Sequence, residues 1–343
     1  MSDSSAAVDG GVPSRGASDV RPPRGRYAPS PSGLLHVGNA RTALVAWLSV
    51  RSRSGSFVWR VEDLDPPRVV GGAAEAAAED LTWLGLDWDE DPQLGGPYGP
   101  YLQSERSDAY EAALQVLCDT GRLFPCSLSR KELASISSAP HGEDEEPAYP
   151  PSARPRDLAA HWYAQFRQGR SSEAALRFRI DDAPVRFVDR VYGEIEQAVP
   201  GDFVLKRRDG LYAYQLAVVV DDWLMRIDEV VRGADLLGST ARQIQLLEAL
   251  GARRPAHAHV PMVLDEHGEK LSKRDEALTL RSLRTSGVRA AQLVGWLAWS
   301  LGLIDRPAAL SAKELVSMFS WSRIGREPTR LPREFAQSVR DLR

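Results

Sequence analysis

The run Ser56–Asp63 alternates, with Phe57, Trp59 and Val61 on one side and Val58, Arg60 and Glu62 on the other, which predicts a strand. Arg24–Pro29 predicts a shorter strand stopped by proline, followed by a loop at Ser30–Gly33. Ala40, Leu44, Trp47 and Leu48 then recur at helical spacing up to Gly55. Strand, loop, helix and strand in that order form a βαβ unit and imply a parallel sheet. A second amphipathic helix carries Ala73, Ala77, Leu81 and Leu84. Strand-like segments recur at Leu176–Ile180, Phe187–Val191, Phe203–Lys206 and Glu229–Arg232, and a Leu- and Ile-rich helix is expected over Ser239–Ala249. The run Tyr212–Val220, ending in Asp221 and Asp222, reads as the strongest buried strand. The residues after Lys273 are helical in pattern, and no internal repeat is found.

Composition narrows the class. The 343 residues are 43% hydrophobic and 26% charged, the balance of a globular protein. With 43 basic and 47 acidic side chains the net charge is −4, so any polynucleotide contact must come from a local basic face. Cys118 and Cys126 cannot staple a chain of this length and fit a reducing compartment. The uncharged stretch Ala290–Ile304 is too short and too polar to span a bilayer, and the start lacks the features of a signal peptide. No membrane association and a cytoplasmic location are therefore expected. Residues 1–22 read as a disordered leader. The acidic run Glu143–Glu146 and the prolines at 140, 147, 150, 151 and 155 read as loops of an inserted subdomain.

Three groups of residues carry candidate chemistry. In Pro29-Ser-Pro-Ser-Gly-Leu-Leu-His36-Val-Gly38-Asn39 a tight loop opens a helix, whose free N–H groups favour phosphate oxygens. Gly38 has no Cβ to keep a flat base or sugar from the backbone, and His36 can donate to a phosphoryl oxygen. The second group is Glu269-Lys270-Leu-Ser-Lys273-Arg274, whose ammonium groups suit a triphosphate in a transition state. The third, Arg26, Glu62, Tyr214 and Arg232, falls at strand ends, where open parallel sheets bind ligands. A carboxylate, two guanidiniums and a phenol there would hold a zwitterion bearing a second carboxylate. Taken singly, each group is met more often in solvated loops or surface ion pairs.

Taken in order, Arg26-Tyr-Ala-Pro-Ser-Pro-Ser-Gly33, His36-Val-Gly-Asn39, Arg60-Val-Glu-Asp-Leu-Asp65, Val231-Arg-Gly-Ala-Asp235 and Lys270-Leu-Ser-Lys-Arg274 resemble the catalytic half of the glutamyl-tRNA synthetases, class I aminoacyl-tRNA synthetases. The resemblance runs from residue 24 to residue 280. Too few residues follow Lys273 for a large helical anticodon-binding half. Ser32, Glu62-Asp-Leu-Asp-Pro-Pro-Arg68, Asp209–Asp221 and Thr240-Ala-Arg-Gln-Ile244 are similar to the truncated glutamyl-queuosine tRNA(Asp) synthetase family.

That resemblance implies an α/β fold: a Rossmann-like parallel-sheet catalytic domain with an inserted α/β subdomain and a short helical C-terminal region. It places the leader at 1–22, the catalytic halves at 23–110 and 191–265, the insertion at 111–190, and the lysine loop with the helical region at 266–343. It implies tRNA-independent activation of L-glutamate with ATP and Mg²⁺. Glutamate is then transferred to queuosine at the wobble position of tRNA(Asp), by a monomer. The catalytic residues it implies are His36 and Lys273. His36, Gly38, Asn39, Lys270 and Lys273 would bind ATP, and Arg26, Ala28, Ser30, Glu62, Tyr214 and Arg232 would bind glutamate. The family's zinc knuckle is degenerate here, because only Cys126 and Tyr149 remain while Leu128 and Ala153 replace ligands, so no zinc is expected. His257 and His259 are expected to be core residues of a strand. A compact glutamyl-tRNA synthetase acting on a 3′ end, a small-molecule adenylate-forming ligase and a non-catalytic RNA-binding module remain as alternatives.

Overall fold

The computed structural model describes residues 21–129, 131–133, 149–159, 161–170, 174–271 and 276–343. Residues 1–20 of the expected leader, the acidic run Glu143–Glu146 and Lys273 lie outside the described residues. Among the described residues the strands are β1 (Arg24–Tyr27), β2 (Ser56–Trp59), β3 (Leu123–Cys126), β4 (Ala175–Phe178), β5 (Val185–Asp189), β6 (Gly193–Gln197), β7 (Phe203–Lys206), β8 (Glu229–Gly233), β9 (Ala256–Val260), β10 (Val263–Leu264) and β11 (Thr329–Arg330). The main sheet has the order β2-β1-β8-β9-β5-β6. Its neighbours are parallel except β5 and β6, which form an antiparallel edge. The expected βαβ unit is present: helix α1 (Val37–Arg51) connects the parallel neighbours β1 and β2.

Alternation decides what each face of this sheet carries. Tyr27, Phe57, Trp59, Val61, Val231, Ala258 and Val260 belong to one hydrophobic core together with α1. That core continues into α2 (Ala73–Trp83) and into Leu280, Leu283, Leu293, Trp296, Leu297, Leu315 and Phe335 of the C-terminal region. The C-terminal region is therefore packed onto the back of the main sheet. Among the described residues no helix is long and apolar enough to cross a membrane.

A smaller antiparallel sheet, β3-β4-β7, packs with α3 (Ser107–Asp119) around a second core. Strand pairing cuts across the expected boundary at 190: β5, inside the expected insertion, joins the main sheet, whereas β7, expected in the catalytic half, pairs with β4. Around the expected knuckle, Phe124, Cys126, Leu133 and Tyr149 form an apolar cluster against which Leu128 and Ala153 pack. The Tyr149 hydroxyl donates to the Ala153 carbonyl at 2.7 Å, and the Arg177 guanidinium lies 4.9 Å from the centre of its ring.

One expectation is overturned. Tyr212–Val220 is not a strand; Tyr214–Leu224 is an α-helix, called α5 to follow the four-residue α4 (Trp162–Gln165). Leu216 to Asp222 are all buried, against the sheet on one side and α3 and α6 (Thr240–Ala249) on others. A helix buried on every side shows no polar stripe, and three successive valines then imitate a strand. The helix places Tyr214, Asp221 and Asp222 on one side at i, i+7 and i+8, where a strand would send Asp221 and Asp222 to opposite faces.

Asp221 pins α5 in that orientation. It is fully buried and accepts from Arg106 Nε at 2.5 Å, Gln103 Nε2 at 2.7 Å and Tyr110 Oη at 3.1 Å. Asp221→Ala is expected to lower the unfolding free energy by about 3–5 kcal/mol, because it strands a buried guanidinium. Urea denaturation measures this, and an unchanged midpoint would mean that apolar packing alone holds the helix.

Candidate active site

The face of the sheet opposite α1 carries charged groups beside a small apolar cluster that includes Val58 and Val230. Arg26 stands beside Val58 in the β1–β2 register, which puts Arg60 and Glu62, two and four residues further on, on Arg26's side of the sheet. Arg232 pairs with His259 and Val230 with His257 between β8 and β9, while Asp189 of β5 pairs with His257. Five elements therefore deliver Arg26, Arg60, Arg232, His259 and Asp189 to one surface, and α5 covers it with Tyr214, Asp221 and Asp222. Buried charge of this density persists only if each group is partnered.

Most of it is. Arg26 Nε donates to Asp222 Oδ1 at 3.1 Å and its Nη1 to the Val231 carbonyl at 3.2 Å. Arg60 donates through Nη1 to Asp222 Oδ1 at 2.8 Å and through Nη2 to Glu62 Oε1 at 3.3 Å. The two guanidiniums hold the Asp222 carboxyl below its ordinary range against the opposing effect of burial. Glu62 goes the other way: burial raises its pKa, and the nearby Asp222 and Asp221 add to that rise against the pull of Arg60 and Arg26. A carboxylate so placed gains from a further cation.

Arg232 is the exception. Its guanidinium is 4% exposed, yet its partners are neutral: Nε donates to His259 Nε2 at 3.0 Å, Nη1 to Gln243 Oε1 at 2.6 Å and Nη2 to Thr240 Oγ1 at 2.9 Å. Among the described residues it forms no ion pair with a carboxylate. Burial lowers its pKa, while the Tyr214 phenol and Asp222 lie near enough to oppose that. A guanidinium has five N–H donors, so donors remain for a ligand. A buried cation without an anion among the described residues, and a carboxylate whose pairing with Arg60 does not offset its burial, fit a molecule bearing both charges.

The phosphate-side candidates lie at the start of α1. His36 is its N-cap: its Nδ1 accepts from the backbone N–H of Gly38 at 3.1 Å and of Asn39 at 3.4 Å, and Asn39 Oδ1 accepts from His36 N at 3.0 Å. With Nδ1 accepting, the neutral ring carries its proton on Nε2, a donor suited to a phosphoryl oxygen. Gly38 has a local reason as well, since a Cβ there would stand 3.0 Å from His36 Cε1. Ala28 and Ser30 follow β1 in the loop whose Pro29 carbonyl accepts from Glu62 N at 3.1 Å. No side-chain hydrogen bond made by Ser30 stands among those described. Lys270 pairs with Asp235, just beyond β8. The structure thus gathers Arg26, Glu62, Tyr214 and Arg232 in one site and places Lys273 outside the described residues.

Sequence reasoning missed Asp221, Asp222, Arg60, His259, Asp189 and Gln243. Two signals pointed to some of them: Arg60 shares a face with Glu62, and His257 and His259 share one by the same period of two. The expectation that both histidines are strand core residues holds for burial, but His259 also touches the site.

The family model "tRNA synthetases class I (E and Q), catalytic domain" matches residues 23–321. A Glutamyl-Q tRNA(Asp) synthetase of Symbiobacterium thermophilum is 48% identical over 90% of this chain and 96% of its own, and that of Nitratidesulfovibrio vulgaris is 42% identical over 92% and 98%. A solved glutamate tRNA ligase from Elizabethkingia meningosepticum, in complex with its amino acid, superposes with a TM-score of 0.80 at 29% identity, covering 93% of this chain and 69% of that one. The chain belongs to the class I tRNA synthetases of the glutamate and glutamine type and, within them, to the Glutamyl-Q tRNA(Asp) synthetase family.

The cap and the chemistry of His36 can be separated. His36→Ala is expected to cost about 1 kcal/mol of stability, whereas His36→Asn, a preferred N-cap, keeps it within a few tenths. Chemical denaturation of the two variants checks this.

Proposed function

We propose that this chain activates L-glutamate with ATP without needing tRNA and transfers the glutamyl group to queuosine at the wobble position of tRNA(Asp). The observation that carries the amino-acid half is the Arg232 guanidinium, buried and held among the described residues by neutral acceptors, with Tyr214 near both it and Glu62. In this reading Glu62 takes the substrate ammonium, Arg232 the side-chain carboxylate, and Tyr214 borders both. Arg26, already neutralised by Asp222, lines the site with Ala28 and Ser30. A glutamine amide presents no charge to Arg232, which supports selection of the acid over the amide.

The α-carboxylate then attacks the α-phosphorus of ATP in line, and pyrophosphate leaves. Positioning and charge neutralisation do most of the work in such a displacement. His36 Nε2–H donates to a phosphoryl oxygen, Gly38 and Asn39 border the nucleotide at the start of α1, and Lys270 and Lys273 neutralise the phosphates. Mg²⁺ accompanies ATP as a counter-charge. The acceptor is supported by the names of the relatives whose full length the chain spans. A tRNA substrate and the absence of a membrane-crossing helix among the described residues suit a cytoplasmic enzyme, and we read it as a monomer.

Glutamate-dependent ATP–pyrophosphate exchange without RNA tests the first step, and its absence sinks the reading. Labelled glutamate offered to tRNA(Asp) with and without queuosine tests the second. Label that is lost on removing the terminal adenosine would instead indicate charging of the 3′ end. His36→Asn, stable by its cap, is expected to slow exchange by about 10²-fold, and a wild-type rate would remove His36 from the chemistry. Because burial raises the Glu62 pKa, its ammonium-binding form is lost on acidification earlier than for an exposed carboxylate. Glutamate affinity should therefore fall with pH while still above the ordinary carboxylate range, and Glu62→Gln should show weak binding that no longer follows pH there. Isothermal titration across the acid range measures both.

A further inference from the structure

Arg232 heads a row of three buried groups. His259 Nε2 lies 3.0 Å from Arg232 Nε, and His259 Nδ1 lies 2.6 Å from Asp189 Oδ2. Asp189 is 1% exposed and His259 not at all. The other Asp189 oxygen, Oδ1, accepts the backbone N–H groups of Val191 at 2.9 Å and Tyr192 at 3.0 Å. The carboxylate is thereby fixed at the tip of β5, with Oδ2 turned to the imidazole.

The proton inventory of this row has one consistent solution. Arg232 Nε always carries a hydrogen, so His259 Nε2 must accept and be bare. The single proton of the neutral ring therefore sits on Nδ1 and is donated to Asp189 Oδ2. The other tautomer, or the imidazolium, would set N–H against N–H at Arg232. Burial and the Arg232 charge keep His259 below its ordinary pKa, and the Asp189 carboxyl is held below its own by His259 and the two backbone donors. Thr240 Oγ1, 3.3 Å from His259 Nε2, fits this state as a hydroxyl that accepts from Arg232 and turns its proton toward the ring.

We propose that Asp189 and His259 are positioning residues: together they fix the rotation of the Arg232 guanidinium, so that its remaining N–H groups face the substrate carboxylate. The inference rests on the reading of Arg232 as the glutamate-carboxylate ligand and adds what orients it. The arrangement resolves a conflict that a direct ion pair would create. A carboxylate on Arg232 itself would lock the fork but neutralise it and compete with the substrate. A neutral ring locks it without taking its charge, and the anion one residue further back fixes which nitrogen accepts. Gln243 serves the other side in the same way, its amide held by Gln215 through a 2.9 Å hydrogen bond.

Asp189→Asn tests this with no change of shape. The asparagine oxygen stays with the Val191 and Tyr192 N–H groups, so its NH₂ faces His259 Nδ1 and drives the ring proton to Nε2, against Arg232. In pyrophosphate exchange, the KM for glutamate is expected to rise roughly ten- to a hundredfold. The KM for ATP, and kcat at saturating glutamate, should stay within about twofold, the pattern of lost substrate binding. Nitrogen-15 NMR of histidine-labelled protein should show His259 neutral with its proton on Nδ1 in the wild type and on Nε2 in the variant. A wild-type ring protonated on Nε2 overturns the proposal whether or not the variant folds, as does a folded variant with the wild-type KM for glutamate. Arg232→Gln in the same assay keeps the two readings apart. If it raises the KM for glutamate and Asp189→Asn does not, only the positioning role falls; if it leaves that KM unchanged, the assignment of Arg232 falls.

Discussion

Four arginines meet under one helix, and how they are neutralised sets the rest of the site. Asp221 and Asp222, adjacent on α5, together with Glu62 pair with Arg106, Arg60 and Arg26 at distances of 2.5 to 3.3 Å. Each of these cations would destabilise the fold by several kcal/mol if left alone in the interior. The helix therefore cannot slide or rotate by a residue without exposing that cost, and its first residue, Tyr214, is carried to the edge of the same site. Neutralisation stops one arginine short. Among the described residues Arg232 keeps neutral partners, and its charge lies in a desolvated interior where an anion is worth most.

The sheet explains how such a charged layer can lie next to a stable core. Strand side chains alternate, and β1, β2, β8 and β9 send most of their apolar set toward α1 and the C-terminal helices, while Arg26, Arg232 and His259 stand on the other face beside Val58 and Val230. The layer that binds is thus backed by a layer that packs. The start of α1 lies just past the end of β1, and the bridge between His36 and Thr279 ties that start to the segment following the lysine loop. The residues proposed for the amino acid stand toward the carboxyl ends of parallel strands, where open sheets of this kind bind ligands.

In the small sheet the chain solves a different problem with ordinary packing. Leu128 and Ala153 lie against Cys126 and Tyr149, and ring contacts from Phe124 and the Arg177 cation complete the cluster. Apolar contact connects the two stretches of chain, with Tyr149 as the hub, and the Tyr149 hydroxyl closes its own stretch on the Ala153 carbonyl.

Much of this was written locally in the chain. The βαβ unit and the shared face of Arg60 and Glu62 follow from periods of 2.0 and 3.6 along the chain. The identity of α5 did not follow, because a segment surrounded by core has no polar side to reveal its period, and Val218 to Val220 favour the wrong one. Nor did the pairing of Arg26 with Asp222, 196 residues apart, or the contact of Arg232 with His259 and Asp189. The sequence by itself determined which charged and polar groups exist and which face of its own element each occupies. Which arginine is neutralised and which is left for a ligand was decided only when distant strands and one buried helix came together, because compensation of charge depends on distance in space.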